Sequence, residues 1–176
     1  MEGLPVLDVA PFLADPTSTG AHAFVDDLRT ACHEIGFAHI VGHGIDPHLE
    51  TELFAQSQRF LNLPLATRQE LALENSAAFR GYTTVGEEQT AGGADWRDQL
   101  DFGPEQLAPI PNDEGPAWLR LRGPNQWPAT VPDLGPLALE WLDKMFDLGI
   151  QVLRALALAL GQPIDTFDSA FIPTHD

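Results

Sequence analysis

Leu134-Gly135-Pro136-Leu137-Ala138-Leu139-Glu140-Trp141-Leu142-Asp143-Lys144-Met145-Phe146-Asp147-Leu148-Gly149-Ile150-Gln151-Val152-Leu153-Arg154-Ala155-Leu156-Ala157-Leu158-Ala159-Leu160 is the stretch on which the fold turns. Its polar residues Glu140, Lys144, Asp147, Gln151 and Arg154 fall four, three, four and three apart, which places them on one narrow stripe of an α-helix. Almost everything else is apolar, so the pattern predicts a helix wrapped by a core on most sides. Charges interrupt it before about 18 apolar residues accumulate, which excludes a membrane span. Gly161 and Pro163 end it, as expected at a helix C-terminus. Such a helix needs covering layers, yet only residues 162–176 follow it.

Working outward, the segment before this helix is its opposite. From Phe79 to Pro132 glycines and prolines cluster and periodicity fades, which predicts loops with short extended pieces around Arg80–Thr84 and Gln99–Phe102. The acids Glu87, Glu88, Asp95, Asp98, Asp101 and Glu105 there are set against Arg97. So long a stretch without a strong element points to function or to missing packing partners.

The chain begins with regular elements. Leu4-Pro5-Val6-Leu7-Asp8-Val9 reads as a short edge strand, because Pro5 has no N–H to give a ladder. Ser18 or Thr19 caps a helix whose apolar face carries Phe24, Val25, Leu28, Cys32 and Ile35, closed by Gly36. Phe37 to Val41 reads as a strand, Asp46-Pro47 opens a second helix running to Leu61, and Thr67 to Leu73 supports a short third one. With few, short strands, the fold class is α+β and helix-rich. The organisation is a strand-helix-strand-helix start over 1–75, a loop-rich segment over 76–132, a long core helix over 133–161 and a tail over 162–176.

Composition narrows the function classes. With 26 acidic against 9 basic residues the net charge is −17, which repels phosphate backbones and anionic lipid and so argues against nucleic-acid and membrane-surface partners. The single cysteine, Cys32, excludes an intrachain disulfide and a Cys-rich zinc site. No basic segment followed by an apolar one opens the sequence, so the expectation is a cytoplasmic chain.

Few side chains stand at spacings that chemistry requires. His22, Asp26 and His33 share a helix face, but His33 lies roughly 16 Å along the axis from His22, too far for one ion. His48-Leu49-Glu50 matches a His-x-Glu metal motif, yet on a helix the two side chains diverge by about 200°. The later His175 sits one residue from the end. Gly42-x-Gly44 and Gly92-Gly93 lack the helix-start context of a phosphate loop, and Cys32 reads as a small core hydrophobe. No catalytic and no metal-binding residue is assigned. Arg80, flanked by Phe79 and followed by Gly81-Tyr82 without basic neighbours, is a candidate clamp for a substrate carboxylate. The plain alternative is an ordinary ion-paired arginine.

In combination these motifs resemble a known family. Leu4-Pro5-Val6-Leu7-Asp8, Ala31-Cys32-His33-Glu34-Ile35-Gly36-Phe37 and Val41-Gly42-His43-Gly44-Ile45 are similar to the N-terminal region of isopenicillin N synthase-like oxygenases. Phe60-Leu61-Asn62-Leu63-Pro64 resembles that family's F-x-L-P helix end. Phe79 to Thr90 and Asp95 to Gly103 give the strongest match, and Gly123-Pro124-Asn125-Gln126-Trp127-Pro128 resembles its G-x-N-x-W-P motif. The sequence departs at Gly42, where many members have Asn.

The resemblance implies the N-terminal helical and short-strand portion of an incomplete double-stranded β-helix (jelly-roll). In the full-length enzymes Fe(II) activates O2 with electrons from 2-oxoglutarate, and a small organic molecule is oxidised. The iron triad and the 2-oxoglutarate arginine belong to the part beyond Phe171, so the chain alone is expected to hold no cofactor and to be inactive. Arg80 and Tyr82 match a segment near the active-site mouth and are the implied substrate-binding residues. The alternative is a non-enzymatic remnant or interaction module that pairs with a separately encoded β-barrel half. A third reading is a small acidic metal protein built on His22 and Asp26.

Overall fold

The computed structural model describes residues 3–87, 89–90, 92–107 and 117–171. Glu88 of the acidic run, and His175 with the rest of the tail from 172 on, lie outside them. The chain forms two compact units, one of residues 1–45 with 144–176 and the other of residues 46–143. Helix content dominates and the strands are short, so the α+β, helix-rich expectation holds for the described residues.

The first unit is built around a parallel pair, β1 (Val6–Asp8) and β2 (His39–Val41), in register Val6↔His39, Leu7↔Ile40 and Asp8↔Val41. Pro5 contributes what a proline can, its carbonyl, which accepts from His39 N at 2.8 Å. Helix α1 (Ala10–Ala14) follows at once. Five residues are too few to show a helical period, although Pro11 in the first turn favours a helix start. Asp8 Oδ1 accepts from Ala10 N at 3.0 Å and fixes the approach to this helix.

Helix α2 (Thr19–Glu34) crosses over between the two strands. Ser18 is the cap: its Oγ accepts from Ala21 N at 3.1 Å, satisfying one of the orphan donors of the first turn. Gly36, at φ 86°, ends it by donating to Ala31 O at 2.9 Å. The apolar face differs from expectation in one place. Ala31 is buried and Cys32 is exposed, because the wheel position carrying Phe24 and Leu28 inward continues through Ala31. Ile35, past the helix end, is exposed too.

Leu7, Val9, Phe12, Phe24, Val25 and Leu28 close this core with Ala155 and Ala159 from helix α5 (Leu134–Ala159), the predicted long helix. Small residues of α5 therefore sit innermost in this unit. Met145 and Phe146 stand 40 % and 50 % exposed, and Leu160, just past the helix end, 64 %, so the helix is less enclosed than its composition predicts. Arg154 on α5 grips Asp168, the first residue of α6 (Asp168–Phe171), with Nη2–Oδ2 at 2.8 Å and Nε–Oδ1 at 3.2 Å.

The second unit opens with α3 (Pro47–Leu61), capped by Asp46 Oδ1 accepting from His48 N at 2.9 Å. Pro64 does break the chain, but the next helix, α4, is Leu65–Gln69, and a 3-10 turn at Leu73–Asn75 follows. The loop-rich segment contains an antiparallel pair, β3 (Gly81–Thr83) with β6 (Gln99–Asp101), in register Gly81↔Asp101, Tyr82↔Leu100 and Thr83↔Gln99. Both lie inside the predicted extended pieces. A small hairpin of β4 (Gln89–Thr90) and β5 (Gly93–Ala94) and a 3-10 turn at Ala117–Leu121 add to what the sequence pattern marks. Phe60, Tyr82, Val131 and Leu134 form the buried core here, with Leu53, Leu71, Leu100 and Trp127 packed on it.

Candidate functional site

The two singled-out residues are neighbours on the strand β3 side of the second unit but occupy different environments. Tyr82 is 2 % exposed. Its ring meets Phe60 edge-on, centroids 5.9 Å apart at 81°, and the Arg68 guanidinium lies over it at 5.1 Å, a cation–π contact. The hydroxyl is enclosed without a partner at full hydrogen-bond geometry, facing Asp98 and Thr84. Burial pushes the Tyr82 phenol up, and the Asp98 carboxylate pushes the same way.

Asp98 belongs to a pair that the sequence pattern does not mark. Arg68 from α4 is its ion-pair partner, so the acids of this stretch are not set against Arg97 alone; Arg97 pairs with Asp95 at 2.9 Å. Thirty residues separate Arg68 from Asp98, and no local spacing signals such a pair.

Arg80 is half-buried. Its Nη1 donates to the carbonyls of Ala78 and Phe79, each at 3.2 Å. Its Nε is buried without a partner, and among the described residues no carboxylate pairs with it. Phe79, just before it, has φ 58°, a left-handed conformation that a bulky non-glycine residue rarely adopts. The guanidinium rests on Gly103, where an ideal Cβ would fall 2.5 Å from Nη2 and 2.8 Å from Cζ.

Beside this strand lies an open cleft of about 610 Å³, lined by Tyr82, Thr83 and Thr84 together with Gln69, Glu74 and Glu87. Glu87 Oε2 accepts from Thr84 N at 3.0 Å. Behind Arg80, Gln126 Nε2 donates toward Arg80 O at 2.7 Å, Ala72 O at 3.0 Å and Leu71 O at 3.2 Å. Asn125 Oδ1 accepts from Gly103 N at 2.9 Å while its Nδ2 donates to Gly103 O at 2.8 Å. Glu105 holds Asn125 in turn, accepting from its backbone N at 3.0 Å, its Nδ2 at 2.9 Å and the Trp127 indole at 3.2 Å. Burial raises the Glu105 carboxyl, but these donors outweigh it and hold the group below the ordinary range. The sequence offered a motif for Asn125 and Gln126 but no role.

The candidates for metal binding do not assemble. His22, Asp26 and His33 lie on α2, and His48 and Glu50 on α3. Among the described residues no three His, Cys, Asp or Glu side chains stand together as a ligand set. The iron of the resembled enzymes therefore does not fit these residues, and no iron step is assigned to them.

Comparison with known proteins agrees with the motifs. The family described as non-haem dioxygenase in morphine synthesis, N-terminal, matches residues 4–130. A 2-oxoglutarate-dependent dioxygenase, frbJ, of Dothideomycetidae sp. is 32% identical over 170 residues, covering 97% of this chain and 45% of its own length. The homoarginine-6-hydroxylase 2-ODD-C23 of Glycine max is 32% identical over 94% of this chain and 51% of its own.

Among solved structures, a C-terminally truncated protein of Neurospora crassa in apo form superposes with a TM-score of 0.73 at 23% identity, over 96% of this chain and 57% of that one. A putative 2OG-Fe(II) oxygenase family protein of Caulobacter crescentus gives 0.69 at 22%, over 96% and 52%. These two show the fold. The chain spans about half the length of the curated relatives it matches. With the motif order, the fold and the match over 4–130 in agreement, the chain belongs to the family of non-haem dioxygenase N-terminal domains and corresponds to the N-terminal part of 2-oxoglutarate-dependent dioxygenases.

Proposed function

We propose that this chain is the N-terminal part of a non-haem Fe(II)/2-oxoglutarate-dependent oxygenase that oxidises a small organic molecule, and that it is inactive by itself. The observation that carries the reading is the family match over residues 4–130 in a chain spanning about half of its curated relatives. Fe(II) and 2-oxoglutarate belong to the full-length enzyme, and the single cysteine suits a reducing, cytoplasmic setting. An anaerobic titration with Fe(II) and 2-oxoglutarate tests it: the isolated chain is expected to bind neither stoichiometrically, and a one-to-one complex would overturn the inactivity.

In the full-length form Arg80 and Tyr82 are the substrate-side residues. Arg80 is a cation that no carboxylate among the described residues neutralises, in a chain of net charge −17. That supports a substrate carrying a carboxylate, which the guanidinium fork matches. Tyr82 contributes through the wall of the adjoining cleft.

A second reading, an interaction module for a separately encoded barrel half, is supported by the exposed Met145 and Phe146 of α5 and by Leu160 just past its end. Large exposed apolar surface marks a partner-binding site. The metal-protein reading through His22 and Asp26 is tested by His22→Ala, which is expected to leave metal content unchanged.

A further inference from the structure

We infer that Asn125 and Gln126 are positioning residues for Arg80: one fixes the glycine on which the guanidinium rests, the other fixes the backbone that carries it. The inference rests on the reading of Arg80 as a substrate-side cation. Its first support is the division of labour between adjacent side chains. The Gln126 amide has two hydrogens and three carbonyl oxygens within reach, of which Arg80 O is nearest at 2.7 Å. It thus ties Arg80 to the turn around Leu71 and Ala72.

Asn125 pairs with both the N–H and the carbonyl of Gly103, at 2.9 and 2.8 Å, as a strand neighbour would. Gly103 is the floor under Arg80, so a shift of either clamp moves the guanidinium relative to its support. The lack of a Cβ at Gly103 is what lets the planar group lie that close.

The second support is strain. Phe79 is held at φ 58°, and such a conformation persists only where its surroundings over-determine it. Ser76 Oγ accepts from Ala78 N at 3.1 Å and Arg80 N at 3.3 Å on one side of the turn, and Gln126 closes the other.

The third is charge. A half-buried arginine in an acid-rich chain would ordinarily find a carboxylate. Among the described residues the guanidinium meets the carbonyl dipoles of Ala78 and Phe79 and the backbone of Gly103 but no carboxylate, and its Nε is buried without a partner. The clamp thereby presents a fixed, unneutralised cation to an anionic group, a preorganised arrangement.

The test uses the full chain and the Arg80 Nε–H signal in a 15N-correlated spectrum, identified by its loss in Arg80→Lys. Arg68, held by Asp98 and Tyr82, is the internal control. Asn125→Ala is expected to abolish the Arg80 signal and leave that of Arg68. Gln126→Glu, which sets an ionised carboxylate against three carbonyls, is expected to abolish it at neutral pH. The signal should return as the introduced carboxyl is protonated and regains a donor.

Persistence of the Arg80 signal in both variants would overturn the proposal. So would joint loss of the Arg68 and Arg80 signals without recovery at low pH, because the clamp would then be a general brace. Titration of the unmodified chain with succinate separates the two readings. A shift of the Arg80 signal supports the substrate-side role, whereas no shift removes that role and leaves the clamp standing.

Discussion

Glu105 is an exposed carboxylate with interior duties: it accepts from Asn125 twice and from Trp127. Its folded form ionises below the ordinary value of 4.5. The stability this provides is therefore fully present above about pH 4.5 and is lost as pH falls through the lower folded value. Urea unfolding of the unmodified chain and of Glu105→Gln, compared across that window, should show the difference between them narrowing as pH falls; a constant difference would refute the assignment. Gly81 is the complementary case, fixed by space. At φ 140° an added Cβ would sit 2.4 Å from Leu71 O and 2.5 Å from Gln126 Nε2. Gly81→Ala should lower unfolding free energy by more than about 2 kcal/mol in denaturant titration, since strain and the broken Gln126 contact act together.

At the scale of elements, the Ser18 cap gives the plainest expectation: Ser18→Ala should cost about 1 kcal/mol, read as a lower urea midpoint. Gly42 couples two elements. At φ 71° its missing Cβ would meet Asp8 Oδ1 at 2.0 Å, the same oxygen that holds Ala10 N. Asparagine tolerates that φ but not that contact. Gly42→Asn should therefore displace the Asp8 bond and cost about 1 kcal/mol, a penalty that shrinks in an Asp8→Ala background, where the contact with Ala10 Cβ at 3.0 Å remains. These elements are legible because their signals are local. The 3.6-residue period marks α2, α3 and α5, Ser18 and Gly36 mark the ends of α2, and the proline at position 5 marks an edge. What is not legible is long-range. Asp98 gives no hint of Arg68, and Gln126 no hint of Arg80 O, 46 residues away. Cys32 falls one wheel position from the buried face because alanine at 31 is a weak marker of the inward direction.

At the scale of the whole molecule, the exposed Phe146 of α5, Leu160 just past its end, and the exposed Val6 and Phe37 near the parallel pair are large apolar side chains left in water. Gel filtration and binding of a hydrophobe-sensing dye should show a dye-positive chain, and a dye-silent monomer would contradict the reading that a further half covers these surfaces. The candidate site is half-visible from sequence: Arg80 stands out because acidic surroundings offer it no basic company, but its half-buried, carbonyl-lined setting follows from contacts with Ala78, Phe79 and Gly103. The order of the chain also governs how the fold is made. The first unit joins residues 1–45 to 144–176 around an inserted one, so Phe12, Phe24 and Leu28 have no Ala155 or Ala159 to close on until the ribosome has threaded through everything between. At about 5–20 residues per second, the roughly 130 residues from Leu28 to Ala159 take about 6–26 s to make, and over that interval the leading segment keeps its apolar face open.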